Sequence, residues 1–138
     1  MFKKLLSKNI DTIVPIDVSL LILRVAIGGS MLTHGWPKLM KVFSGNLSFG
    51  DPIGLGPEIS LVLAAFAEAI CSILVIAGLG TRLATIPLVF TMAVAVFVAH
   101  ADDPFGTKEK AFMFMIVFLF LFFAGGGKYS ADSWFRKK

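Results

Sequence analysis

Apolar residues run through this chain in four long blocks, each closed by glycine, proline or a polar cluster. A helix crosses the hydrocarbon layer of a bilayer, about 30 Å thick, with about 20 mostly apolar residues. The pattern predicts such helices over 17–36, 57–79, 81–100 and 110–124. Asp17 stands as the N-cap of the first, and Pro15 precedes it; Gly35 and Pro37 mark its end. Pro57 suits the first turn of the second helix, and Gly78 and Gly80 close it. Pro87 lies inside the third and loosens its first turns, and Asp102-Asp103-Pro104 follows it. The fourth is short and rich in phenylalanine, and Gly125-Gly126-Gly127 stops it. Between the first two helices, residues 38–56 form a glycine-rich loop whose Leu47, Phe49, Ile53 and Leu55 suit a segment dipping into the membrane interface.

The expected fold is therefore all-α, a four-helix transmembrane bundle forming one domain over 1–138. Composition agrees. Of 138 residues, 57% are hydrophobic and 16% charged, against about 45–50% and about 25% in soluble domains. A soluble chain of this size must keep most of its surface polar, so lipid is the solvent that fits.

The net charge of +4 does not point to nucleic acid, because the cations flank oily segments: Lys3, Lys4 and Lys8 at one end, Arg136, Lys137 and Lys138 at the other. Adding Arg82 and Lys128 to these leaves only Lys38, Lys41, Lys108 and Lys110 on the opposite side. That asymmetry is expected to place both termini in the cytoplasm. The apolar run from Val18 to Met31 is followed by no A-x-A-like cleavage site, so it reads as a retained span. The single cysteine, Cys71, forms no internal disulfide and no CxxC motif.

Charged groups inside a span are costly, about 2.5–3.5 kcal/mol on insertion scales, and need partners or a task. Glu68 lies near the middle of the second helix among Ala64, Ala65, Ala67, Ala69, Cys71 and Ser72. Small neighbours let helices approach, so Glu68 is expected to face the bundle, as a proton-handling carboxylate, a ligand acceptor or a structural tie. Arg24 on the first helix is its simplest partner, at an axial gap of about 6 Å. His34 and Lys38 at the end of the first helix and His100 at the end of the third are expected to share an outward mouth with Glu68 below. Histidine there suits hydrogen bonding or proton relay. No metal site is expected, since of the two imidazoles and the carboxylate no two are spaced i,i+4 on one helix. No phosphate loop, catalytic triad, haem motif or dinucleotide fingerprint occurs, and no cofactor is encoded by motif.

These residues form a set that resembles the DoxX family of small four-helix bacterial membrane proteins. The matching pieces, in order, are Arg24, Gly28 and His34-Gly35 with Lys38; Glu68 after Ala64-Ala65-Phe66-Ala67; Gly78, Leu79, Thr81, Arg82 and Ala84; His100; and Gly126-Gly127-Lys128-Tyr129-Ser130 with Asp132. Ala131 departs from the leucine frequent in the family. The resemblance implies membrane redox work. One branch looks like the membrane subunit of a thiosulfate:quinone oxidoreductase, and another associates with superoxide dismutase and a sulfurtransferase. Carried over, it implies catalytic roles for Glu68, His34 and His100, and a quinone or small sulfur anion held by Arg24, Lys38 and Glu68. A soluble or membrane redox partner would supply electrons, and homo-oligomers are compatible. Whether the chain is itself an enzyme stays open. The alternative is a non-enzymatic anchor or assembly partner for soluble redox proteins, or a small-solute permease.

Overall fold

The computed structural model describes residues 16–138. Pro15 and the lysines at 3, 4 and 8, used above for helix entry and orientation, lie outside the described residues. Five helices follow in order: α1 Ile16–Phe43, α2 Pro57–Ala77, α3 Thr81–Ala99, α4 Phe105–Ala124 and the short α5 Ala131–Arg136. No strand occurs among the described residues. The chain is an all-helical membrane bundle. α1, α2 and α3 are each long and apolar enough to span a bilayer. α4 begins at Phe105, not at residue 110, and its first turns carry Lys108, Glu109 and Lys110. Its apolar remainder lies along α3 and completes the bundle.

α2 is the central helix, packed on α1 at one side and α3 at the other. The outward surface is strongly apolar: Ile22, Leu83, Phe90, Phe97 and Phe123 are all exposed. A patch of that extent has no place in water; lipid covers it.

The buried stripe of α1 is Leu20, Arg24, Gly28, Met31 and Gly35, a spacing of three and four residues that keeps one face toward α2. Two glycines of this stripe set the approach. A Cβ on Gly28 would meet Ile76, and one on Gly35 would overlap the backbone of Glu68 and Ala69. The backbones therefore touch where any larger residue would force them apart.

α1 does not end at Trp36. Pro37 removes one amide from the helix ladder, yet the helix continues to Phe43. It stops at a Schellman closure, with Asn46 N–H donating to Lys41 O at 3.1 Å and Gly45 N–H to Val42 O at 3.2 Å. Gly45 supplies the left-handed residue at φ +77°. The turns beyond Pro37 are held from outside, through the Lys38 contact described below. α2 closes the same way at Gly78, with Leu79 N–H on Leu74 O at 2.9 Å.

α2 and α3 each contain a π-helical segment, Phe66–Cys71 and Ala95–Ala99. In the second, His100 N–H reaches back five residues to Ala95 O at 3.0 Å. Such wide turns redirect side chains and recur at functional sites.

Gly35→Ala should separate α1 from α2 and cost about 1–3 kcal/mol, measured as a lower thermal midpoint in detergent. Gly29→Ala, where a Cβ meets open space, should leave the midpoint unchanged or slightly raised.

Candidate functional site

The close approach at Gly35 decides which cation meets Glu68. Gly35 lies against the Glu68 backbone, so Lys38, almost one turn further along α1, reaches the carboxylate. Lys38 Nζ donates to Glu68 Oε2 in an ion pair. The Glu68 side chain is 5% exposed and that of Lys38 is 26% exposed. Lys38 also lies 5.8 Å from the ring centre of Phe49.

This corrects the expected Arg24–Glu68 pair. Arg24 is eleven residues from Gly35, about 16 Å along the helix axis, and so far from the level of Glu68. The smaller gap followed from setting both helices between fixed membrane edges. α1 runs on past Pro37 and is displaced lengthwise against α2. Arg24 is fully buried at the opposite end of the bundle. Its Nη1 and Nη2 donate to the carbonyls of Gly126 and Tyr129, each at 2.8 Å. A Cβ on Gly78 would collide with this guanidinium and with Ser130. The same end is laced by two carboxylates. Asp132 accepts the N–H groups of Gly80 at 2.7 Å and Thr81 at 3.1 Å, capping the start of α3. Asp17 is not an N-cap: it sits inside the first turn of α1 and accepts the N–H of Lys128 at 2.9 Å.

Lys38, Glu68 and His100 line one cavity of about 460 Å³ between α2 and α3. Its walls are apolar, from Leu63, Ala64 and Phe66 on α2 and Pro87, Phe90 and Val94 on α3. Leu63, Phe66 and Phe90 are also exposed on the bundle surface, so the cavity opens sideways, toward lipid. The connecting loop, which runs only over 44–56 because α1 continues to Phe43 and not over the expected 38–56, covers its end with Phe49, Pro52, Ile53 and Leu55. That loop is ordered by its own polar groups: Lys41 Nζ donates to Ser48 O at 2.5 Å, and Asp51 Oδ1 accepts from Gly56 N–H at 3.1 Å and Ser60 Oγ at 3.4 Å. Each π segment places one polar residue at the cavity: Glu68 lies within the first, and His100 directly follows the second.

His34 is not among the lining residues. It sits about 40° around the helix from Lys38 and is exposed. Its ring meets Phe114 of α4 edge-on, with centres 5.8 Å apart. The spacing rules also passed over Asp103. Its Oδ2 lies 2.7 Å from His100 Nδ1, and both side chains are nearly half exposed. The signal for it was the i,i+3 spacing across the polar turn after α3. His100 thus has one edge at the cavity and one nitrogen on a carboxylate near the surface. The arrangement offers a cation, a carboxylate and an imidazole at the polar end of an oily slot.

Comparison with known proteins bears on this geometry. The model of the DoxX family matches residues 19–101, which include Arg24, His34, Lys38, Glu68 and His100. An uncharacterized protein of Haemophilus influenzae is 32% identical over 127 residues, covering 84% of this chain and 90% of its own length. No solved structure matches.

Removing one partner of a buried ion pair strands the other charge, at about 3 kcal/mol or more. Lys38→Met and Glu68→Leu should each lose about that much stability in detergent unfolding. The double variant should recover most of it; two additive losses would show that the pair does not stabilise the fold.

Proposed function

Since the chain belongs to the DoxX family, whose members are membrane proteins linked to redox systems, we propose that the cavity between α2 and α3 binds the headgroup of a membrane quinone. The observation that carries this reading is the lipid-facing apolar slot ending in Lys38, Glu68 and His100. A quinone is a flat, oily ring with two carbonyl acceptors and a lipid tail. The donor set fits it: an ammonium and an imidazole to hydrogen-bond carbonyl oxygen, flat apolar walls, and a side opening through which a tail could remain in the bilayer. Small-molecule sites commonly combine such walls with few polar groups.

When bound, a quinone supplies a two-electron, two-proton acceptor. Lys38 orients a carbonyl oxygen and favours negative charge on it. Glu68, tied to Lys38, holds or exchanges a proton beside that oxygen. His100, with Asp103 on its other nitrogen, carries protons between the cavity and the aqueous surface. Phe49 and the rest of the covering loop keep bulk water out. Electrons come from a soluble or membrane redox protein, or from a small sulfur anion drawn by Lys38 and Lys41. In this reading the covering loop faces the outside of a bacterial inner membrane and the far end faces the cytoplasm, in accord with the lysine and arginine asymmetry.

One observation favours the non-enzymatic alternative, an anchor or a small-solute permease. Arg24 holds the C-terminal loop through Nη1 and Nη2, so part of the buried charge is structural.

Protein extracted gently from native membrane should retain quinone, detectable by mass spectrometry. Glu68→Ala should lose most of it, whereas His34→Phe, altered outside the cavity, should keep it. Quinone-free wild-type protein, or equal retention in all variants, would favour the anchor.

A further inference from the structure

A second cavity lies at the opposite end of the bundle, where α3 begins and α4 ends. Its volume is about 580 Å³, and its lining includes Thr81, Arg82, Gly125, Asp132, Phe135 and Arg136. The Arg82 guanidinium is held over the turn. Its Nη2 donates to Phe123 O at 3.2 Å, and a Cβ on Gly125 would sit 3.3 Å from its Nε. The residue is exposed, and the bond to Phe123 is its one side-chain hydrogen bond among the described residues. Arg136 enters the same cavity from α5.

A further observation points to a ligand. Thr81 lines this cavity, is 1% exposed, and its Oγ1 has no hydrogen-bond partner among the described residues. A buried hydroxyl without a partner is unfavourable. The start of α3 is not the attraction, since Asp132 already occupies its amides. That carboxylate is engaged by both N–H groups, and the two guanidiniums outnumber it.

We infer that this cavity binds a phosphate group, and that its source is the headgroup of an anionic phospholipid. Guanidinium forks match phosphate oxygens in pairs, and the Thr81 hydroxyl can donate to one more. The surroundings fit a lipid better than a soluble phosphate compound. Leu83 and Phe135 flank the cavity and are exposed, as acyl chains require. Trp134 on α5 is also exposed, with Lys138 Nζ 3.9 Å from its ring centre, a pairing suited to the headgroup level.

The inference is independent of the quinone reading and is tested without any redox assay. Purified full-length protein in neutral detergent is titrated with phosphatidylglycerol, phosphatidylcholine or inorganic phosphate, and bound lipid is counted by native mass spectrometry. Phosphatidylglycerol should bind in preference to phosphatidylcholine and raise the thermal midpoint. Arg136→Gln, which removes no side-chain hydrogen bond among the described residues, should weaken binding about tenfold, and Arg82→Gln should act similarly. Tight binding of inorganic phosphate that displaces the lipid would make a soluble phosphate compound the ligand, keeping the site and overturning its lipid source. Equal binding of both lipids, or an equal loss in a Lys137→Gln/Lys138→Gln control, would mean diffuse attraction and would overturn the site.

Discussion

The bundle turns on the contact between Gly35 and the backbone of Glu68. With no side chain at that position, α1 lies directly on α2 at the level of the carboxylate. From this single approach follows the lengthwise setting of the two helices. It decides that Lys38 and not Arg24 neutralises Glu68. A charge inside the membrane is then met by a cation from the next helical turn, and the pair stands at the polar end of an otherwise oily slot.

Much of this was legible in the residue pattern. The three long apolar blocks became spans, and the small residues around Glu68 correctly turned it into the bundle. Lys38 and His100, singled out from the pattern, line one cavity with Glu68. What escaped was whatever depends on helix register. Pro37 reads as a stop because it lacks an amide, but two further turns of α1 are secured by the Lys38 contact and the closure at Gly45. The partner of Arg24 lay in carbonyls of the C-terminal loop; any residue can supply a carbonyl, so no residue type announces it. The π segments carry no composition of their own, and with them went the aim of the His100 ring and its contact with Asp103. His34 was misjudged because 40° of helical rotation is invisible in a string of letters.

The two ends of the bundle are built on different chemistry. At the Glu68 end, side chains meet side chains around a cavity. At the Arg24 end, side chains meet backbone: Arg24 on two carbonyls, Asp132 on two amides, Asp17 on one. Buried polar backbone groups must be satisfied in a membrane, so the irregular Gly125–Gly127 turn can exist at this depth only because charged side chains serve it.

That division has a mechanical consequence. Four strong charge-assisted ties, from Arg24 and Asp132, weld the C-terminal loop to the start of α3 and the first turns of α1, like the pivot of a pair of tongs. At the other extreme, α2 and α3 share no such tie among the described residues, and oily surfaces and a covering loop lie between them. Any parting of α2 from α3 therefore meets least resistance at the slot, about 16 Å along the bundle from the Arg24 ties.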